Sequence, residues 1–350
     1  MGFFENLFHK KENTDSVVLI DISTSSVAGA YATFVAGERS TILHTRRMPV
    51  EVHDKEQKTR AMLRALKMLG DTLIRDGAPS LLRATGSGRA DSVLVSIDAP
   101  WQETSVRTEH FEQNEPFVFT REMVVAALEK TNTAPPGKLL ADESIIGTTL
   151  NGYQTNDPYD KEASRAAIII MKSLIDRRVA ESITTVIRGV FHTEDILPIA
   201  GSSLRYQAMR IAFPHERDSL IIDASSREVT SLFLVRKSLL VNTTEVEKHA
   251  KDAAAWARSV ADTLKDIASR YPLPRTVFLL AHEPEISLLR ETLDAEKIER
   301  FWLSDNPPKV VSILGSHVST LVRQTTTTPA DLSLLLMALF RHNRIQDGRA

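Results

Sequence analysis

The fold of this chain is decided by the stretch Ser16-Val17-Val18-Leu19-Ile20-Asp21-Ile22-Ser23-Thr24-Ser25-Ser26. Its first seven residues are mostly apolar, which is typical of a buried β-strand, and the serines and threonine after them favour a turn. A second β-rich run at 27–35 and a third at 41–45 follow. The stretch therefore predicts a strand, a tight turn and a second strand, with Asp21 facing the turn.

A helix should follow this strand unit. Apolar residues between Met62 and Leu73 recur at helical spacing, which predicts a helix over 59–75. Gly77-Ala78-Pro79 comes next, and glycine followed by proline is typical of a helix end. We therefore expect the helix to stop before Pro79.

The same order recurs two hundred residues downstream. Superposing Asp21 on Asp223 places Val27 on Val229 and aligns the strands that follow, so the two segments are one supersecondary unit used twice. A long helix over 245–270 is predicted after the second copy. The second copy reads Ser219-Leu220-Ile221-Ile222-Asp223-Ala224-Ser225-Ser226.

Two such units suit a pair of lobes that close on a shared cleft. Turn amides in such a cleft can hold phosphates, while carboxylates such as Asp21 and Asp223 bind the accompanying magnesium through water. Either aspartate taken alone is explained as well by a turn after a strand. Their matching positions in duplicated units are what favour a phosphate site.

Composition limits the function classes. The chain has 350 residues, 42% hydrophobic and 25% charged, which predicts a folded protein with more than one core. A formal net charge of -2, with no block of basic residues, argues against nucleic-acid binding. The absence of cysteine excludes disulfides, thiolate metal sites and cysteine nucleophiles, and no apolar stretch has the roughly 18 residues that a spanning helix needs.

The two aspartate motifs carry a family resemblance. The segments 21–24 and 223–226 resemble the phosphate motifs of the actin-like ATPase superfamily, Asp-x-Gly-Thr and Asp-x-Gly-Gly-x-Thr. Within it, 21–27 resembles the start of PilM and FtsA proteins, and Asn151-Gly152-Tyr153 with Asp157-Pro158 resembles part of their inserted subdomain. The resemblance implies an α/β, two-lobed actin-like ATPase (ribonuclease H-like, duplicated) fold with a small inserted α+β subdomain.

The resemblance also implies domain boundaries. We expect an N-terminal amphipathic segment at 1–15 and a first lobe at 16–116 and 199–214. The inserted subdomain should occupy 117–198, and the second lobe 215–350. Pro329-Ala330-Asp331 resembles the start of the family's closing helix, which is predicted over 329–344 and, as one alternative, returns to the first lobe.

The nucleotide motifs depart from the family pattern. Glycine in these loops lets backbone amides approach phosphates, and a Cβ hinders that approach. Serines replace glycine in both motifs, and Ala281-His282-Glu283-Pro284 stands where the family has paired glycines near the adenosine. The resemblance therefore implies a degenerate site with no catalytic residue and no resident cofactor. If ATP and magnesium bind, Asp21 and Asp223 hold the metal, and the cofactor contacts are Asp21, Ser23, Thr24, Ser25, Asp223, Ser225, Ser226, Thr230, His282 and Glu283.

The function implied by the resemblance is that of a scaffold. PilM-like proteins lie in the cytoplasm, peripheral to the inner face of the membrane, and bind the tail of a PilN-like inner-membrane protein near the inserted subdomain of a pilus or secretion assembly. The first alternative is an active FtsA-like ATPase that self-associates into polymers. A second is a kinase of the sugar-kinase branch, for which Asp98 is the nearest candidate for a catalytic aspartate.

The N-terminal segment suggests a second contact. On a helix Phe3, Phe4, Leu7 and Phe8 share one face, and basic residues follow at 9–11. Such a segment can lie on a membrane surface. Packing of the same residues on the protein body is the alternative.

Overall fold

A computed structural model of the chain describes residues 14–129, 134–155, 157–247, 252–303, 305–325 and 330–346. The predicted amphipathic segment lies outside the described residues except for its last two positions, as does Pro329, where the closing helix was predicted to begin.

The strands are β1 (Asp15–Ile22), β2 (Ser26–Phe34), β3 (Thr41–Pro49), β4 (Ser92–Ile97), β5 (Gln102–Phe119), β6 (Lys138–Leu150), β7 (Tyr153–Gln154), β8 (Lys161–Asp176), β9 (Ile196–Ala200), β10 (Ser219–Asp223), β11 (Val229–Arg236), β12 (Leu239–Glu247), β13 (Thr276–Leu280), β14 (Lys309–Ile313) and β15 (Arg323–Gln324). The α-helices are α1 (Lys58–Thr85), α2 (Arg121–Glu129), α3 (Arg177–Phe191), α4 (Gly201–Ala212), α5 (Ala253–Ala268), α6 (Glu283–Ala295), α7 (Gly315–Val318) and α8 (Leu332–Gln346).

The first lobe is built on a sheet in the order β15-β3-β2-β1-β4-β9. β1 pairs antiparallel with β2 and parallel with β4, and its residues from Val17 to Ile22 are buried on both faces. α1 and α3 cover one face of the sheet, and α4 and α8 cover the other. Two covered faces explain why β1 is almost wholly apolar.

The second lobe repeats this arrangement. Its sheet has the order β12-β11-β10-β13-β14, with β10 antiparallel to β11 and parallel to β13. Asp223 ends β10 as Asp21 lies near the end of β1. The duplicated strand-turn-strand unit, and with it the two-lobed α/β fold, is confirmed.

The inserted sheet has the order β5-β8-β6-β7 and runs from Gln102 to Asp176. It therefore starts before the predicted boundary at 117, because β5 is one strand of 18 residues. Helix α3, which lies within the predicted bounds of the insertion, buries Ile183 and Ile187 against the first lobe, and β9 joins the first sheet.

Helix boundaries differ from the predictions at two places. The predicted stop at Pro79 is wrong: α1 continues to Thr85 and ends at Gly86, where φ is 79°. Gly77 packs against the rings of Tyr31 and His44, where a Cβ would come within 3 Å, so its role is close packing. In the second lobe β12 extends to Glu247 and α5 begins only at Ala253, after the Asp252 cap, so the predicted start at 245 is also wrong.

The C-terminal helix returns to the first lobe. α8 packs against α4 and against β1 and β2, and all of its residues from Ser333 to Arg341 are buried. Within the described ranges, no helix has both the length and the apolar composition that crossing a membrane requires.

Candidate functional site

The carboxyl ends of β1 and β10 meet in the cleft between the lobes. Asp21 and Asp223 are each 2% exposed, and both side chains are paired with arginines. The cleft therefore contains the two aspartates that were predicted from the sequence. It also contains arginines that were not predicted.

Arg47, near the end of β3, holds the first aspartate. Its Nη2 lies 3.1 Å from Asp21 Oδ2, and its Nε donates to Asp331 Oδ2 at 2.7 Å. Its Nη1 donates to the hydroxyl of Ser26 at 2.7 Å. The Arg47 guanidinium group thus connects the turn after β1 with Asp331, the residue that precedes α8.

Arg205, on α4, holds the second aspartate. Its Nε donates to Asp223 Oδ2 at 2.6 Å, and its Nη1 lies 2.8 Å from Asp98 Oδ1. Arg205 is 4% exposed. Gly201 permits this packing, because a Cβ there would lie 2.0 Å from the Asp98 carboxylate. Arg205 therefore bridges the loop after β4 in the first lobe and the end of β10 in the second.

The aspartates and arginines of the cleft form a buried cluster in which several pKa values are shifted. Burial raises the pKa of Asp98 to about 7, against the attraction of Arg205. Burial also acts to raise the pKa of Asp21, but the charges of Arg47 and Arg205 outweigh it and hold that pKa below its usual value. Both guanidinium groups stay charged, because the carboxylates raise their pKa although burial acts to lower it.

The first turn is closed by its own serines. Ser23 donates its backbone N–H to Ser26 O at 2.9 Å and its hydroxyl to the same oxygen at 3.0 Å. Ser25 lies beside it, with 3.2 Å between the two hydroxyl oxygens. Thr24 is buried, and its hydroxyl has no hydrogen-bond partner among the described residues. The turn therefore uses its hydroxyl groups largely within itself.

The second turn makes a contact across the cleft. The backbone N–H of Ser225 donates to Asp223 Oδ1 at 3.1 Å, and the hydroxyl of Ser226 donates to Ala99 O in the first lobe at 3.4 Å. Thr230 lies away from the cleft cavity: its hydroxyl accepts a hydrogen bond of 2.8 Å from Trp256 Nε1 inside the second-lobe core.

A cavity of about 350 Å³ adjoins the cluster. Arg47, Arg205 and Ser225 line its polar side, and His282 and Glu283 line the side formed by the start of α6. Burial and the charge of Arg47 lower the pKa of His282, and its Nε2 is buried without a hydrogen-bond partner in the described part of the chain. This wall is where the adenosine loop was predicted.

These residues do not fit a magnesium–nucleotide complex. Each aspartate that was predicted to bind magnesium through water already has a guanidinium group within 3.1 Å of its carboxylate. The cluster contains four carboxylates, those of Asp21, Asp98, Asp223 and Asp331, against two guanidinium groups. An excess of negative charge disfavours a triphosphate. Among the described residues no group of three or more His, Asp or Glu side chains is arranged to hold a metal ion.

A second candidate site lies on the inserted sheet. A groove of about 810 Å³ follows β6 over residues 142–148. Gln154 of β7, Tyr159 and Arg344 of α8 also line it. On this side of β6, β7 pairs with Thr149 and Leu150, and the carbonyl oxygen of Thr148 accepts from the backbone N–H of Thr155 at 3.0 Å. No described strand pairs with residues 144–147 on this side, so they form an open edge toward the groove. An open edge of this kind can accept an additional strand.

Sequence reasoning missed both arginines. Arg47 follows another arginine in an ordinary strand, and nothing local distinguishes it from a surface residue. Arg205 had a signal: it lies between Leu204 and Ala208, on the apolar face of a helix, where an unpaired charge would be costly. Asp98 was considered only for a kinase, and its carboxylate is instead engaged by Arg205.

Solved structures of other proteins are similar to this chain over most of its length. A structure of the PilM-PilN type IV pilus biogenesis complex is similar to this chain, with 13% sequence identity and a TM-score of 0.55, over 93% of this chain and 98% of the matched chain. A Bacteroides thetaiotaomicron VPI-5482 protein described as having an actin-like ATPase fold matches with 9% identity and a TM-score of 0.44, over 93% and 95% of the two chains. The cytoplasmic domain of EpsL, an inner membrane component of the type II secretion system of Vibrio cholerae, matches with 9% identity and a TM-score of 0.37, over 94% and 95%.

No family model and no curated protein matches the sequence. The likeness to known proteins is therefore structural, and at 13% identity it concerns the fold alone. The duplicated lobes, the inserted sheet and the likeness to the PilM-PilN structure show that this chain has the two-lobed actin-like ATPase fold.

Proposed function

We propose that this chain is a cytoplasmic scaffold, peripheral to the inner face of the membrane, that binds the short tail of a PilN-like inner-membrane protein in a pilus or secretion assembly. In this proposal it is a pseudo-ATPase. The observation that carries the proposal is the pairing of Asp21 and Asp223 with buried arginines, while the groove along β6 stays open. The aspartates expected to bind magnesium are thus already paired, which supports the pseudo-ATPase part, and the groove supports the peptide-binding part.

The pseudo-ATPase part rests on Arg205. Its guanidinium group supplies, inside the protein, positive charge at the carboxylate that magnesium would otherwise approach. Mg-ATP would have to displace a buried ion pair and enter a cluster with surplus carboxylates. We therefore expect no shift of the melting temperature with millimolar Mg-ATP.

The test compares Mg-ATP with ATP in the presence of EDTA. A ligand at one hundred times its dissociation constant would stabilise the chain by about 2.7 kcal/mol, which a melting curve detects easily. A clear rise with Mg-ATP, absent with EDTA and lost in Asp223→Ala, would contradict the proposal. It would instead support an FtsA-like ATPase, for which ATP-dependent polymers in a sedimentation assay are the second sign.

The tail-binding part rests on the β6 groove. Cytoplasmic segments next to membrane spans are enriched in Lys and Arg. Such a segment would have to compete with Arg344 for Asp142 and with Arg107 for Glu143. Ile145 and Ile146 in the groove offer apolar contacts. A tail added as a strand along β6 would gain main-chain hydrogen bonds, with alternate side chains set against the groove.

The test uses peptides that copy the cytoplasmic tails of inner-membrane proteins encoded beside this chain. We expect one of them to bind, and Gln154→Lys, which adds a positive charge to the exposed end of the groove, to weaken that binding several-fold. Gln113→Lys is the matched control, because Gln113 is an exposed glutamine of the same subdomain outside the groove. Equal weakening by both variants would refute the assignment to this groove.

Membrane contact through residues 1–11 completes the proposal. The apolar face and the lysines of this segment suit an anionic surface. Flotation with vesicles containing anionic lipid should recover the intact chain, and Phe4→Ser with Phe8→Ser should abolish the recovery. Unchanged recovery of the double variant would exclude this segment as the contact.

A further inference from the structure

Helices α1 and α3 lie side by side on one face of the first-lobe sheet. Each buries an apolar stripe against that sheet, and Gly70 of α1 packs on Val190 of α3 so closely that a Cβ would come within 2.6 Å of it. The two helices therefore form one layer, about 42 Å long on the α1 side. We call the exposed side of this layer, formed by residues 58–85 and 177–191, the α1–α3 face.

This layer is strongly basic. Its two helices contain nine Lys and Arg residues against three Asp and Glu residues, whereas the whole chain has a formal net charge of -2. The rest of the chain therefore carries an excess of negative charge, and these two helices carry an excess of positive charge. Such an uneven distribution orients a protein in the field of an anionic surface.

Basic side chains of both helices are free to meet a partner. Arg60 and Lys67 of α1 and Arg178 of α3 are exposed, and within the described ranges none of the three forms an ion pair. The exposed acidic residues nearest to them along the helices are Asp71 and Glu181. Positive charge therefore dominates the part of the layer that solvent reaches.

Large apolar side chains are exposed among these charges. Met68 is 50% exposed, Ile74 41% and Leu82 52%, and all three lie on α1. Apolar side chains interspersed with basic ones suit the boundary between lipid headgroups and acyl chains. They do not suit nucleic acid, which favours aromatic side chains that stack on bases: α1 has no aromatic residue, and the one in α3, Phe191, packs edge-on against Tyr31.

The α1–α3 face adjoins the subdomain that carries the β6 groove. At the start of α3, the backbone N–H of Arg177 donates to Gly137 O at 2.9 Å, and its Nη2 donates to Lys138 O at 3.1 Å. Lys138 is the first residue of β6, and the open edge begins at Ser144, at most about 20 Å further along the strand. A short tail that leaves a membrane beside α3 can therefore reach the groove.

We propose that the α1–α3 face lies on an anionic lipid surface. This inference rests on the proposed function, in which the chain is peripheral to the membrane and binds a tail that emerges from it. The basic side chains attract the lipid phosphates, and Met68, Ile74 and Leu82 enter the headgroup region. Residues 1–11, proposed above as a membrane contact, would add a second weak contact, and two weak contacts on one body reinforce each other.

The first test measures binding of the full chain to vesicles of phosphatidylglycerol and phosphatidylcholine in equal parts. Each basic residue near an anionic surface contributes about a factor of five, so Lys67→Glu with Arg178→Glu should weaken binding about twenty-fold or more. The matched control is Arg258→Glu with Lys265→Glu, which makes the same charge change at exposed positions of α5 in the second lobe. Equal weakening by the two double variants would overturn the inference, as would equally strong binding to vesicles of phosphatidylcholine alone.

The second test asks whether the face itself touches lipid. The chain lacks cysteine, so Met68→Cys provides a single site for a polarity-sensitive fluorophore. Its emission should shift to shorter wavelength on the anionic vesicles and lose access to an aqueous quencher. Leu288→Cys is the control, because Leu288 is 56% exposed on α6 in the second lobe, and its fluorophore should not respond. A silent fluorophore at position 68, or equal responses at both positions, would overturn the inference. A response at position 68 to double-stranded RNA and not to vesicles would assign the face to nucleic acid instead.

The two proposals fail separately. If no tail peptide binds but the fluorophore at position 68 responds to vesicles, the partner assignment is wrong and the lipid-facing surface stands. If a tail binds and that fluorophore is silent, the partner assignment stands and the lipid-facing surface is wrong. Vesicle binding that depends on Phe4 and Phe8 but not on Lys67 and Arg178 would confine the contact to residues 1–11 and overturn the inference.

Discussion

Replacing Arg205 by methionine tests the interpretation of the cleft most directly. Methionine keeps the apolar length of the side chain and removes the charge, so the carboxylates of Asp98 and Asp223 lose the cation that lies within 2.8 Å of each. Removing one member of a buried ion pair costs about 3–5 kcal/mol, because the remaining charges stay buried without compensation. For 350 residues the entropy of unfolding is about 0.7 kcal/mol/K, so the melting temperature should fall by about 4–7 °C.

The assay is thermal and urea unfolding of three proteins besides the unmodified chain. Arg188→Met removes an arginine that is 50% exposed and pairs with an exposed glutamate, and should cost no more than about 1 kcal/mol. The triple variant Arg205→Met, Asp98→Asn, Asp223→Asn removes the uncompensated charges and should recover most of the loss. Arg205→Met itself should also gain stability from millimolar magnesium, since two carboxylates become available, whereas the unmodified chain should not.

Two results would refute this reasoning. A loss by Arg205→Met as small as that of Arg188→Met would show that the buried bridge contributes nothing to the folded state. A triple variant that is no more stable than Arg205→Met would show that lost packing, and not uncompensated charge, explains the change.

Three further predictions concern the same region. Asp98→Asn should gain stability relative to the unmodified chain as the pH rises from about 4 to about 7. Over this range the unfolded chain releases the Asp98 proton, whereas the folded chain, in which the pKa of Asp98 is raised to about 7, keeps it and so loses stability. The lowered pKa of His282 acts with the opposite sign in an overlapping range and is common to both chains, so the difference between their urea unfolding free energies is measured. A difference that does not change with pH would show the assignment to be wrong. Gly201→Ala should destabilise the chain in the same assay, because the new methyl group would lie 2.0 Å from the Asp98 carboxylate; an unchanged midpoint would contradict the close packing. Thr230→Val should cost about 1–3 kcal/mol by leaving Trp256 N–H buried without an acceptor, while Thr230→Ser should retain most of the stability, and equal losses would exclude the hydrogen bond as the cause.

The elements that could be predicted from the sequence are those whose signal is local. β1 and β10 are continuous apolar runs that end in aspartate and turn residues, because both of their faces are covered. Repetition of that pattern was enough to predict two lobes and the meeting of Asp21 with Asp223 in the cleft. Neither conclusion required knowledge of which residues touch across the fold.

The elements that could not be predicted depend on distant contacts. Arg47 and Asp331 are 284 positions apart, and no local pattern indicates that they pair. The end of α1 was missed for a related reason: Leu81, after Pro79, is fully buried in the first-lobe core, and this packing holds the last turns of the helix in place. Glycine and proline there indicated a boundary that tertiary contacts override.

The cleft and the β6 groove are joined by one element, α8. At its start Asp331 accepts from Arg47 and from the backbone N–H of Leu334 at 3.2 Å, which ties the helix to the cleft and caps it. At its other end Arg344 lies in the β6 groove. Because the helix between these points is buried against the first lobe, its position is determined by packing along its length and by the ion pair at its start. The guanidinium groups of the cleft therefore connect the two lobes through Arg205 and hold the start of α8 through Arg47, and Arg344 of the same helix lines the β6 groove.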